Sequence, residues 1–502
     1  MTEPEKKSQN DASESKPEQS TKEAQQEAPP PKEEKVQTQH TVVIQGQAIP
    51  YTATAGTYLL KDEEGKPKAT IFYVAYTRDD VTDVQARPVT FSFNGGPGSS
   101  SVWMHLGMLG PRKVQLDEEG NVPPPPYRLE ENPFSLLDVT DLVFIDPVST
   151  GYSRPVPGEE AKQFHNFEKD IESVGEFIRL YTTREQRWLS PKFLIGESYG
   201  TTRAAGLAGF LQDRHGMLFN GIMLISAVLN FQSGFFHPGN DLPYILFLPA
   251  YTAAAWFHQR LEPELQADLR RTLDQVEAFA RGEYTLALMA GDTLGAEERA
   301  RIAQKLARFT GLSAEYVDRS NLRIQIMRFV KELLREQRRT IGRLDSRFTG
   351  IDRDAVGEFF EYDPSYTQIQ GLFTATLNDY LRRELGYESD LTYEILTSLY
   401  KSWDYSKFQN QYLNVAETLR QAMSKNPHLQ IFVANGYYDL ATPYFATEYT
   451  FDHLGLDPSL RPNVRMGYYE AGHMMYVHPP SLARIKEDLA GFVREAARVE
   501  IG

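Results

Sequence analysis

Lys192 to Leu211 reads KFLIGESYGTTRAAGLAGFL. Phe193-Leu194-Ile195 is a short apolar run with the composition of a buried strand, and Thr201 to Leu211 has the composition and period of a helix. Between them Gly196-Glu197-Ser198-Tyr199-Gly200 fits G-x-S-x-G. A serine so placed sits on a tight strand-to-helix turn. Glycines let neighbouring backbone pass close, the turn pushes the hydroxyl beyond the sheet edge, and the helix N-terminus favours developing negative charge. The pentapeptide alone occurs by chance in surface loops. The strand before it and the helix after it make Ser198 a candidate nucleophile at the edge of an α/β sheet.

Working outward, VTFSF (Val89 to Phe93) is another buried-strand run, and it ends in Asn94-Gly95-Gly96-Pro97-Gly98-Ser99-Ser100-Ser101. A glycine-rich loop past a strand's carboxyl end offers bare N–H groups to an anion. It has neither G-K-[ST] nor G-x-G-x-x-G, which argues against a nucleotide phosphate loop, and a plain tight turn is the other reading. With the serine turn downstream, it fits the second half of an oxyanion hole. DLVFIDP (Asp141 to Pro147), Phe219 to Ser226 and Gln430 to Ala434 read as further core strands. His40 to Leu60 and Lys68 to Thr77 alternate apolar and polar residues around a turn at Glu63-Glu64-Gly65, as in an antiparallel start. Strands alternating with helices indicate an α/β fold, with a central, mostly parallel sheet carrying helices on both faces.

The rest divides by composition. Residues 1–40 are polar, with few large apolar side chains and a Pro29-Pro30-Pro31 run, and are expected to be a disordered tail or tether. Residues 41–239 hold the first part of the sheet. Residues 240–403 are mostly helical in period, as in Ala296 to Phe309 and Arg323 to Arg339, and are expected to form a helical cap over the active-site edge. Residues 404–502 return to the sheet and close with an amphipathic helix from Ser481.

Length and charge set the outer bounds. A chain of 502 residues with 41% apolar content can bury a large core with an inserted subdomain. Net charge is −15 and no long basic stretch occurs, so a nucleic-acid partner is not expected. The chain has no cysteine, which excludes disulfides and thiolate metal sites. No transmembrane segment is expected, because no apolar run reaches about 18 residues. No basic-then-apolar leader opens the sequence. The expectation is a protein that stays inside the cell, or a periplasmic or secreted one whose leader has been removed. Oligomeric state is not legible.

A serine hydroxyl is a weak nucleophile near neutral pH. It needs a histidine to take its proton and an acid to fix that histidine's tautomer. Asp439 follows the strand at Gln430 to Ala434, and His473 lies in a glycine-flanked loop after NVRMGYY (Asn463 to Tyr469). Ser198, Asp439 and His473 therefore stand in the chain order of α/β-hydrolases. A lone Asp after a strand is more often a turn residue, and a lone His more often structural; the order and loop positions make the set a candidate triad. His478 lies close to His473 but completes no ligand pattern, so neither a metal nor another cofactor is expected.

Five stretches together resemble the serine carboxypeptidase family, peptidase family S10, in a cysteine-free, bacterial-type form. They are Asn94 to Gly98, Asp146 to Ser153, Gly196 to Gly200, Gly436 to Asp439 and Ala471 to Met474, in the family's order. The resemblance implies an α/β-hydrolase fold with a helical insertion, and release of C-terminal amino acids from peptides. It implies Ser198 as nucleophile, His473 as general base and then acid, Asp439 as its orienting partner, and the N–H groups of Gly96 and Tyr199 as the oxyanion hole. It also implies that Asn94, Gly95 and Glu197 bind the substrate's free carboxylate. The family pattern has a further glutamate just before L-G-P, where aligning on Leu109-Gly110-Pro111 finds Met108. Two acids facing a carboxylate must share protons; here one is missing, which leaves a relaxed demand for a free C-terminus as one expectation. Ser99 stands where the family commonly has a cysteine, and the loop from Asp146 to Ser153 is about one residue shorter than usual. An esterase, an acyltransferase or another peptidase on the same chemistry is the alternative, and an inactive binding protein the remote one.

Overall fold

In a computed structural model of the chain, residues 32–498 are described. The strands of the main sheet are β1 (Lys35–Ile44), β2 (Gln47–Lys61), β3 (Pro67–Arg78), β4 (Val89–Phe93), β5 (Asp141–Ile145), β6 (Lys192–Ser198), β7 (Gly221–Ala227), β8 (Gln430–Gly436) and β9 (Val464–Tyr469). Their spatial order is β1-β2-β3-β5-β4-β6-β7-β8-β9, with Arg154–Pro155 pairing against β3 as a short extra edge. The first three strands and the β3–β5 pair are antiparallel. From β5 to β9 every pairing is parallel.

The parallel strands are apolar on both sides because both sheet faces are covered. In β5, Leu142 and Phe144 enter one apolar cluster, and Val143 and Ile145 the other. Helices α1 (Phe167–Arg184) and α2 (Tyr199–His215) pack on the second of these faces. The insertion contributes α3 (Leu242–Phe257), α4 (Leu269–Phe279), α5 (Ala296–Thr310) and α6 (Pro364–Arg383), followed by α7 (Ala416–Lys425) and the closing α8 (Pro479–Ala496). α7 joins α1 and α2, whereas α8 lies on the opposite face.

Strand β1 begins at Lys35, so residues 35–40 belong to the sheet and not to the tail that composition assigned to residues 1–40. Their polar side chains alternate on a largely exposed edge, and ladder bonds to β2 hold the backbone, from Lys35 opposite Gly56 to Ile44 opposite Gln47. Residues 1–31 of that tail lie outside the described residues. The 240–403 block splits by its packing. α3, α4 and α5 form a separate apolar cluster with Tyr438, Leu440 and Tyr444, just past β8. Ile369, Leu372, Phe373 and Leu377 of α6 instead pack into the sheet's own core with Trp103 and Leu106. Among the described residues no helix is long and apolar enough to cross a membrane.

Candidate active site

Ser198 ends β6 and opens α2 with φ 59° and ψ −129°. A positive φ is costly for a residue with a Cβ, so the surrounding turn must over-determine it. The flanking glycines show how. A side chain at Gly196 would begin 2.1 Å from the Gly200 carbonyl oxygen, and one at Gly200 would begin 2.8 Å from that of Phe93. The strand end and first helical turn thus close on themselves, and Ser198 stays partly exposed while Glu197 and Tyr199 are buried.

Asp439 and His473 come from the loops after β8 and β9. The His473 Nδ1 lies 2.8 Å from Asp439 Oδ2. Asp439 Oδ1 accepts the N–H groups of Ala441 and Thr442 at 2.7 and 3.0 Å, and the Thr442 hydroxyl donates to Oδ2 at 2.7 Å. These neutral donors fix a fully buried carboxylate against the ring. Burial would lower the imidazole's pKa, but the charge and hydrogen bond of Asp439 outweigh it, so His473 is held above its usual range. Glu197 adds to this rise, and the Arg343 cation opposes it.

The histidine loop lies over the serine turn. Ser226 Oγ donates to the His473 carbonyl at 2.7 Å, and the neighbouring Ala227 is in register with Ser198. The Tyr476 hydroxyl donates to Glu197 Oε2 at 2.6 Å, one residue before the serine. The Asp439–His473 link is made, whereas the Ser198 hydroxyl makes no hydrogen bond to the ring.

On the other side of Ser198, the loop after β4 brings Asn94, Gly95 and Gly96 against the start of α2. A side chain at Gly95 would begin 2.5 Å from the Tyr199 amide nitrogen. The Gly96 and Tyr199 N–H groups therefore sit on adjacent segments, and neither donates to another loop carbonyl. Asn94 is fully buried; its Nδ2 donates to Glu197 Oε1 at 2.8 Å, and its Oδ1 accepts from the Met104 N–H at 3.2 Å. Burial pushes the Glu197 carboxyl up to about 7, against the opposing effects of His473 and of the Tyr476 and Asn94 donors.

Further buried residues support the turn and its neighbouring loops. Arg203 of α2 and Asp170 of α1 form a buried ion pair at 2.9 Å, and Arg203 also donates to the Asn94 carbonyl at 2.6 Å. Asp146 accepts from the Ser101 N–H and hydroxyl at 2.8 and 2.9 Å and from the Tyr393 hydroxyl at 2.7 Å. Residues 343–346 of the insertion strap the loops that carry Asp439 and His473. The Leu344 carbonyl accepts from His473 N–H at 2.7 Å, the Arg343 carbonyl from Leu440 N–H at 3.1 Å, and Asp345 from Gly472 N–H at 3.1 Å. Met108 is only 1% exposed and packs in the sheet's apolar cluster. Its environment is that of a core residue.

A family model described as serine carboxypeptidase matches residues 46–497. Among curated proteins, the pheromone-processing carboxypeptidase KEX1 of Saccharomyces cerevisiae is 32% identical over 145 residues, which are 28% of this chain and 19% of that protein. The match thus spans about a fifth of the relative's length. Among solved structures, the prohormone-processing carboxypeptidase KEX1ΔP of the same yeast superposes with a TM-score of 0.56 at 15% identity, covering 88% of this chain and 91% of that one. At that identity the superposition speaks for the fold alone: an α/β-hydrolase sheet with helices on both faces.

Proposed function

Since the chain belongs to the serine carboxypeptidase family, we propose that it hydrolyses C-terminal peptide bonds through an acyl-enzyme. The observation that carries this reading is the Asp439–His473 pair held over the strained Ser198 turn, beside a buried, protonatable Glu197. Ser198 Oγ adds to the scissile carbonyl carbon while His473 Nε2 takes its proton. Asp439 stabilises the resulting imidazolium and keeps its Nδ1 proton in place. The N–H groups of Gly96 and Tyr199 receive the oxyanion; losing one such donor costs about a hundredfold or more in rate. The C–N bond then breaks, and the leaving amine takes the proton from His473. Water attacks the ester, again giving its proton to His473, and the acid product departs as Ser198 recovers its proton.

Asn94, Gly95 and a protonated Glu197 bind the terminal carboxylate of the substrate in this scheme. A carboxyl near its ordinary pKa would be ionised at neutral pH and would repel that group, so burial is what makes the residue useful. The direct test is hydrolysis of N-blocked dipeptides, their amides and simple aryl esters across pH, with Ser198→Ala as control. Cleavage of free-acid dipeptides well above their amides supports the proposal. Equal rates on both, or ester cleavage alone, would favour an esterase, acyltransferase or differently directed peptidase. The absence of the second acid at position 108 is the observation on that side. No labelling of Ser198 by a fluorophosphonate would favour a binding protein.

A further inference from the structure

Glu197 has two carboxylate oxygens, and each is held by one neutral donor. Asn94 Nδ2 lies 2.8 Å from Oε1, and the Tyr476 hydroxyl 2.6 Å from Oε2. Among the described residues no second acid hydrogen-bonds to it. The Tyr476 ring lies against the segment where that acid would have stood: a side chain at Gly107, next to Met108, would begin 2.5 Å from the Tyr476 Cε2. Gly107 thus leaves the space that the ring occupies. Tyr476 is 1% exposed, and burial keeps its phenol protonated throughout any working pH range, so it can only donate to an ionised Glu197. It stands three residues after His473, on the loop that carries the catalytic imidazole.

We infer that Tyr476 is a positioning residue that replaces the second acid of the carboxylate site, holding Glu197 by a donated hydrogen bond so that one titrating group meets the substrate's terminal carboxylate. The inference rests on the carboxypeptidase reading above. Two acids facing a carboxylate exchange protons as a coupled set and titrate in more than one step. A phenol and an acid give a single proton step. The surroundings of Glu197 fit this. Beyond Tyr476, the ionisable groups that face it are His473 and Asp439, from the loops after β9 and β8. β7 offers the apolar Ile225 in register with it, the loop after β4 offers the neutral Asn94, and the Arg203 of α2 is neutralised by Asp170.

The arrangement makes a prediction with an unusual sign. Tyr476 stabilises the ionised form of Glu197, so removing the hydroxyl weakens that form and leaves Glu197 protonated to higher pH. Tyr476→Phe keeps the ring on Gly107. The alkaline limb of kcat/KM for an N-blocked free-acid dipeptide should move up by on the order of one pH unit. The limb for an ester substrate without a free carboxylate should stay. In a Glu197→Gln background the same substitution should shift nothing. Infrared titration of the buried carboxyl band, with Glu197→Gln as blank, reads the pairing without reference to activity and should show the same upward shift. A carboxyl band that titrates alike in parent and Tyr476→Phe overturns the inference. So does a free-acid limb that stays put, or one that moves equally with the ester. Failure of the parent to cleave any free-acid dipeptide, at any pH, overturns the inference together with the reading it rests on; the infrared shift then reports only the contact.

Discussion

Glu197→Gln should abolish the alkaline loss of peptidase activity while leaving the fold intact. In the parent, burial holds this carboxyl at about 7, against an ordinary 4.5. About one-tenth of the molecules carry the proton at pH 8, and about one-hundredth at pH 9. If only the protonated form accepts a substrate carboxylate, kcat/KM on an N-blocked dipeptide falls about fivefold from pH 7 to 8 and about tenfold per pH unit beyond. Glutamine has the same shape, donates from Nε2 at every pH and has no proton to lose. Its profile should therefore run flat from about pH 7 to 9, so that the ratio of variant to parent rises about fiftyfold over that span. Stability supplies a second readout. The folded-state pKa of this acid is raised, so its contribution is fully present below 4.5 and is lost as pH rises through about 7. The glutamine variant should accordingly gain stability over the parent between those values, by up to about 3 kcal/mol. Stopped assays with a blocked dipeptide and thermal melts from pH 4 to 9 give both numbers. An alkaline limb that survives unchanged in Glu197→Gln would mean that the proton on Glu197 does not govern substrate binding.

Other outcomes follow from the same geometry. Arg343 opposes the charged form of His473, so Arg343→Gln should raise the imidazole's pKa and move the acid limb of kcat/KM to higher pH, read from the same profiles. Arg203→Met leaves Asp170 buried without its partner and frees the Asn94 carbonyl, and should lower stability by about 3–5 kcal/mol in chemical denaturation. Pairing it with Asp170→Leu should restore part of that loss, because the uncompensated charge is then gone. Gly196→Ala places a methyl 2.1 Å from the Gly200 carbonyl oxygen and should abolish fluorophosphonate labelling of Ser198, whether through a displaced turn or through failure to fold.

Residues placed by a short local pattern were legible in the sequence. β4, β6 and β8 are apolar runs ended by glycine-bearing loops, and those endings position Asn94 to Gly96, Ser198 and Asp439. The start of β1 was less legible because Lys35 to His40 is polar: its order comes from the β2 ladder, a pairing that composition does not report. Tyr476, Arg203 with Asp170, and the strap at 343–346 were not legible either. Each acts across a long stretch of chain, as in Tyr476 on Glu197 or Leu344 on His473, through residue types that are common anywhere. Tyr476 reaches Glu197 only where the loop after β9 packs on β6, Arg203 meets Asp170 where α2 packs on α1, and the strap meets Leu440 and His473 where the insertion crosses the loops after β8 and β9. Met108 shows the converse. A position read for charge proves to be a core side chain, and the polar partner of Glu197 arrives from elsewhere in the chain.

The relay between His473 and Ser198 is read most directly from the rate and site of fluorophosphonate labelling in the parent and in His473→Ala. If His473 takes the proton of Ser198, one adduct per chain should form, on Ser198, faster as pH rises through the titration of His473 and slower by orders of magnitude in the alanine variant. Labelling at another residue, or an equal rate with and without the imidazole, would contradict it.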